Sequence, residues 1–244
     1  MTPRSSLGLL LLLLLPALAL AQDPSPAPSP TGPSEEEVKE LEERLTQTET
    51  VRPAVDKDGA VTLSYPLLER KEASDFEAKG LDKFGVEKCE VVGRDPITGL
   101  EVGAGSRGAG LVLHELTWLG DFEVRLKVQL LVSPQSATMC LLLGKKVGVL
   151  WGQRLVKPSN LRPLTKNGKL DRNAFKEGRL VELVVKREGA KLTVTCDGVK
   201  TDEAELTKGE LEGGLRLGLM ARNVRFVIKD WTLKGKVDPK KLPK

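Results

Sequence analysis

The chain has 244 residues with a formal net charge of +4, 38 Lys and Arg set against 34 Asp and Glu, and only 4% aromatic residues. So small an excess, with no basic stripe interleaved with aromatics, excludes a nucleic-acid-binding signature. One histidine, His114, excludes a multi-histidine metal site and leaves at most one place for a Ser-His-Asp triad.

The N-terminus reads as a secretory leader, 1–21. Arg4 precedes an apolar core that ends in Ala19-Leu20-Ala21. That core runs roughly 14 residues, short of the about 20 that a spanning helix needs. No later segment is long and apolar enough to span, so the expectation is a secreted or periplasmic protein. Removing the leader leaves about 220 residues, enough for one large β domain. Residues 22–33 alternate proline with small polar residues, an extended spacer that cannot build a core. At 34–50, Ser34 followed by Glu37 forms a capping box. Three acids fall in the first turn, and Val38, Leu41 and Leu45 share one face, predicting a short helix from about Glu35 to Thr48.

From 54 to 237 the pattern is that of strands. Candidates are Val61–Tyr65, Glu87–Val92, Leu100–Val102, Gly110–Leu113, Phe122–Val132, Thr138–Leu143, Val147–Trp151, Leu180–Lys186, Lys191–Cys196, Leu215–Met220 and Val224–Leu233. The clearest is Asp121 to Leu130. There Phe122, Val124, Leu126, Val128 and Leu130 alternate with Glu123, Arg125, Lys127 and Gln129, the period of a half-buried strand. Leu100–Val102 and Gly110–Leu113 are expected to pair as a hairpin around a glycine-rich loop. Gln153–Gly178 is long and poor in strand signals, as functional loops often are. The segment 238–244 is a basic, solvated tail. The fold class expected is all-β, an antiparallel jelly-roll sandwich of two packed sheets with a short N-terminal helix.

The individual motifs are weak. Gly103-Ala104-Gly105-Ser106-Arg107-Gly108 matches G-x-G-x-x-G but leads into a strand, whereas dinucleotide binding needs a helix there. Asp56-Lys57-Asp58-Gly59 starts like a calcium loop and then lacks the later oxygen ligands, so it reads as a turn. Cys89, Cys140 and Cys196 are odd in number and show no metal spacing. Cys140 and Cys196 fall on apolar positions, where free thiols act as small hydrophobes. His114, beside Glu115, is expected at a strand edge. Glu123 and Glu182 are expected on a solvated sheet face with Arg125, Lys127 and Lys186. Trp118 and Trp151 remain as aromatic platforms, with Trp151 opening the long loop beside Gln153 and Arg154.

Three stretches resemble the concanavalin-A-like lectin/glucanase superfamily, and within it the bacterial 3-keto-disaccharide hydrolase domain and laminin-G-like modules. The first is Gly110 to Glu115 with Leu119 to Leu126. The second is Gly178 to Gly198, which ends in the turn pair Asp197-Gly198. The third is Gly214 to Leu219 with Val224 to Ile228. The chain departs from the hydrolase pattern at Gln135-Ser136-Ala137-Thr138, where those domains show Asn-Ser-Gly, and at Gly178-Arg179-Leu180, where they show Trp-Asn. The resemblance implies a jelly roll and contact with glycan, and no catalytic residue is carried over. It leaves calcium open, since some laminin-G-like modules bind it through separate loops; the residues themselves call for no metal or other cofactor.

The functional expectation is an exported non-catalytic binding module for a glycan or another extracellular or cell-envelope polymer. Its candidate contact residues are Trp151, Gln153, Arg154, His114, Glu123 and Arg125. The alternatives are a hydrolase or lyase acting on a 3-keto-glycoside and a structural envelope protein whose helix meets a partner.

Overall fold

A computed structural model describes residues 32–66, 75–79, 90–91, 99–103, 109–132, 138–144, 147–152, 162–163, 177–211, 214–222 and 224–242. The expected leader, 1–21, and nearly all of the proline-rich spacer lie outside these residues, as does Cys89. The elements run α1 (Glu35–Thr48), β1 (Ala54–Val55), β2 (Val61–Tyr65), β3 (Phe76–Lys79), β4 (Glu90–Val91), β5 (Leu100–Gly103), β6 (Ala109–Val132), β7 (Thr138–Leu143), β8 (Val147–Gly152), β9 (Arg162–Pro163), β10 (Leu180–Glu188), β11 (Lys191–Cys196), β12 (Val199–Glu205), α2 (Lys208–Leu211), β13 (Leu215–Arg222) and β14 (Arg225–Val237). A 3₁₀ turn at Pro239–Lys241 follows. The protein is an all-β antiparallel sandwich with one short N-terminal helix; the single parallel pairing among the described strands joins β8 to β9.

The long strand β6 belongs to both layers. Its C-terminal half pairs with β10 on one edge and β14 on the other, giving a layer ordered β12-β11-β10-β6-β14-β2-β1. Its N-terminal half pairs with β3 and β13, giving β3-β6-β13-β7-β8-β9. The passage between layers falls at Gly120, whose φ is 58°, and the ladder to β14 shifts register there, between Gly235 and Lys236. A bulge at this point bends the strand and increases its twist, so one strand can serve two sheets. Gly110–Leu113 and Phe122–Val132 are thus parts of one strand rather than two. The expected hairpin of Leu100–Val102 with Gly110–Leu113 is corrected as well: β5 pairs with β14 and β4.

Alternation explains the core. Cys196, Leu183, Leu126, Trp231 and Tyr65 lie in register across five strands, and Val194, Val185, Val124, Leu233 and Leu63 form the next such row. All ten are buried. Each large apolar side chain so placed is worth about 1.5–3 kcal/mol. In the second layer β7 is buried at every position, and its Thr-Met-Cys-Leu-Leu-Leu sequence is an apolar run without alternation. Cys140 and Cys196 are free and buried, and burial pushes both thiols up in pKa, that of Cys196 to about 11. Between β11 and β12, Asp197 (φ 49°) and Gly198 (φ 78°) take the left-handed conformations of a two-residue hairpin turn.

Helix α1 begins at the expected capping box, in which Ser34 Oγ accepts from the Glu37 amide and Glu37 Oε2 accepts from the Ser34 amide at 2.7 Å. Its apolar face is short. Leu45 is fully buried and Leu41 packs against the core from a partly buried position. An Arg44 Nη2–H donates to the Pro239 carbonyl at 3.1 Å, tying the helix to the C-terminal 3₁₀ turn. No helix among the described residues is long and apolar enough to cross a membrane.

Candidate functional site

Two polar constellations stand out. The first lies on the outer face of the layer built on β6. Side chains opposite to the apolar rows make polar rows of their own: Thr195, Val184, Arg125, Thr232 and Ser64 in one, and Thr193, Lys186, Glu123, Lys234 and Thr62 in the next. Glu182, Lys127 and Asp230 form a third. Arg125 sits between two carboxylates. Its Nη2 donates to Glu123 Oε1 at 3.1 Å, and its Nη1 lies 3.5 Å from Glu182 Oε1. These contacts, that with Glu123 first, raise the guanidinium pKa further. Lys127 pairs with Asp230 at 3.5 Å, and Ser64 and Thr232 share a hydroxyl contact at 3.4 Å. All three charged groups of the Arg125 triad remain open to water, the arginine side chain 48% exposed and each glutamate 32%. Exposed pairs of this kind contribute at most about 1 kcal/mol each. Their consequence is geometric: a planar fork of donors held between two carboxylates, with Thr232 beside it on β14 and Val184 beside it on β10.

The second constellation is buried where α1 meets both layers. The Tyr65 hydroxyl lies 2.8 Å from Glu49 Oε2 and 2.8 Å from His114 Nε2. The Leu116 amide donates to His114 Nδ1 at 3.2 Å, so Nδ1 is the acceptor and the neutral ring carries its hydrogen on Nε2. Nε2–H therefore donates to Tyr65, whose O–H donates to Glu49. Thr50 donates both its amide and its hydroxyl to Asp75 Oδ2, each at 2.8 Å. Phe76 closes the group with edge-on contacts to Tyr65 and His114 at 5.0 and 5.2 Å between ring centres. Burial, aided by the charge of Arg216, pushes His114 down to about 3. Burial also dominates at Glu49, pushing it up to about 8 against the Tyr65 hydrogen bond, with the charges of Asp75 and Glu115 adding to the shift.

The expected contact residues separate accordingly. Glu123 and Arg125 are brought together on the outer face and joined by Glu182. His114 is corrected from a strand edge to the core, with no exposed surface. The reason is phase, since His114 shares the inward side of β6 with Leu116 and Trp118. Trp118 is likewise core, at 1% exposure, and not a platform. Trp151 is the penultimate residue of β8, its backbone opposite Met139; its side chain, and all of Gln153 and Arg154, lie outside the described residues. Asp56 caps a plain turn, its Oδ1 accepting from the Asp58 and Ala60 amides. Among the described residues no group of three or more His, Cys, Asp or Glu is placed to hold a metal. Glu49 and Asp75 carried no sequence signal, because neither falls in a motif and both meet their partners only through the fold.

No protein-family model and no curated protein matches the chain. Among solved structures, it is similar to a protein of unknown function with a galectin-like fold from Bacillus subtilis, at TM-score 0.48 and 11% identity, covering 71% of this chain and 96% of that one. It is also similar to the Emp47p carbohydrate recognition domain, at TM-score 0.48 and 10% identity over 72% of this chain and 95% of that one. A third is the exoplasmic/lumenal domain of VIP36 in a Ca²⁺- and Man-bound form, at TM-score 0.42 and 12% identity over 65% and 82% of the two chains. The likeness is one of fold.

Proposed function

We propose that the protein is an exported, non-catalytic binding module that takes a glycan, or another polyhydroxylated extracellular polymer, on the outer face of the β6 layer. The observation that carries this reading is the Arg125 fork held between Glu123 and Glu182, with Thr195, Thr232 and Ser64 in the same row. Adjacent hydroxyls of a sugar present alternating donors and acceptors. A guanidinium between carboxylates offers the complementary set at fixed spacing, and charged partners make the stronger hydrogen bonds.

Binding is favoured over turnover by where the chemistry-bearing groups sit. The one histidine is sealed in the core and held neutral, and the two described thiols are buried. Glu123, the acid that a 3-keto-glycoside hydrolase or lyase reading would employ, is engaged by Arg125.

The test is retention of the mature chain on a glycan array, followed by calorimetry on any ligand found. Loss of one charged hydrogen-bonding group from a contact costs about 1.5–3 kcal/mol, so Arg125→Ala should weaken binding by roughly ten- to a hundredfold. Failure to bind any glycan, or unchanged affinity in Arg125→Ala, overturns the proposal.

A further inference from the structure

The buried cluster around Tyr65 has a feature that glycan contact does not use. Glu49 is the C-cap of α1, 8% exposed, and Asp75 leads into β3, 5% exposed. Thr50, next to Glu49 in the chain, donates its amide and its hydroxyl to Asp75 Oδ2, so the two buried carboxyls belong to one cluster in which the charge of Asp75 acts against ionisation of Glu49. Among the described residues, no lysine or arginine forms an ion pair with either. The groups facing Glu49 from the other elements are Tyr65 of β2, His114 and Glu115 of β6, and Asp75 itself. Arg216 of β13 donates to the His114 carbonyl at 3.2 Å, and its charge helps keep that ring neutral. Arg44, on α1 itself, is turned to Pro239. His114 therefore supplies no countercharge, although its Nε2 lies 3.6 Å from Glu49 Oε2. With no cation paired to it among the described residues, the buried Glu49 carboxyl cannot ionise at low cost, and burial and the neighbouring negative charges keep it protonated above the ordinary carboxylate range.

The same residues hold the end of the helix. The Glu49 amide closes the last turn onto the Leu45 carbonyl at 2.8 Å, Thr50 hangs from Asp75 by two bonds, and Leu45 is fully buried next to them. We propose that Glu49, buried beside Asp75, is a proton-operated latch: protonated it holds the C-terminal turn of α1 on the sandwich, and ionised it releases the segment 45–50. The released turn exposes Leu45 and frees α1 while the β layers stay folded. Glu49 titrates at about 8 when docked, against an ordinary 4.5, so the docked state is lost as pH rises through 8.

Hydrogen exchange on the full chain tests this, with protection of the Glu49 and Thr50 amides measured from pH 6 to 9 after correction for base catalysis. Protection should fall about tenfold per pH unit and level off above about 8, at a smaller opening free energy than that of the Val194 amide in β11. Glu49→Gln, neutral and of the same shape, should abolish the slope. Asp75→Asn, which removes the like charge, should move the levelling-off to lower pH, and it serves where Glu49→Gln does not fold. Flat protection in the wild-type chain overturns the latch. So does an unchanged profile in the variants, or exchange of Glu49 and Thr50 only together with Val194.

Discussion

Raising or lowering the pH should destabilise the protein on both sides of a plateau, and the buried cluster sets the limits. Unfolded, Glu49 and His114 titrate near their ordinary values of 4.5 and 6.5; folded, they titrate near 8 and 3. Between pH 4.5 and 6.5 the pair therefore holds one proton whether folded or unfolded, and stability is flat in that window. Above 6.5 the unfolded pair has lost its last proton while the folded pair keeps one until about 8, so stability falls as pH rises. Below 4.5 the unfolded pair holds two protons and the folded pair one until about 3, so stability falls as pH drops. Each limb has a slope of about 1.4 kcal/mol per pH unit, giving a loss on the order of 2 kcal/mol at either end, a sizeable share of an ordinary domain's 5–15 kcal/mol. Urea unfolding from pH 3 to 9 at constant salt is the assay. Glu49→Gln should remove the alkaline limb and extend the acid limb upward from 4.5 to about 6.5, because the His114 proton is then no longer offset by a carboxyl. A wild-type stability that is constant from pH 6.5 to 8, or still rising there, would refute the reasoning.

Further predictions follow from packing. Gly99 has φ 138°, and a Cβ there would lie 2.3 Å from the Ile228 carbonyl oxygen and 2.6 Å from Val227 Cγ1, so Gly99→Ala should cost about 3 kcal/mol or more in urea unfolding. Leu183→Ala removes a fully buried side chain from the centre of an apolar row and should cost about 2–5 kcal/mol in the same assay. Cys140 and Cys196 are buried with raised pKa, so a thiol reagent at pH 8 should label neither at a useful rate until denaturant is added; rapid labelling of either in the native protein would contradict their placement.

Much of the fold could be read from the residues, and the exceptions have physical causes. The C-terminal half of β6, with β10 and β11, has one face in the core and one in water, so period-two alternation marks it plainly. β7 was visible for the opposite reason, as a short apolar run with no wet face. β12 carries no strand signal because an edge strand reading Val-Lys-Thr-Asp-Glu-Ala-Glu buries almost nothing, and its register comes from the Asp197-Gly198 turn and from β11. The continuity of β6 was hidden by Gly120-Asp121, which reads as a turn and is a bulge. Of the candidate site, the polar side of β6 was legible, since Glu123 and Arg125 alternate with core residues. Glu182 could be put on a solvated face, but its place beside Arg125 depends on the β10 register. His114 shows how a lone polar residue misleads. Its depth followed from its phase with Leu116 and Trp118, while its partners Tyr65 and Glu49 lie on other elements and no local pattern links them.

The proposed glycan contact is tested most directly by titrating an array-selected oligosaccharide into isotope-labelled protein and following backbone and side-chain NMR shifts. The account predicts perturbations centred on Arg125, Glu182, Thr195 and Thr232, and their loss in Arg125→Ala. Shifts confined to the other layer, or binding that leaves this face unperturbed, would contradict it.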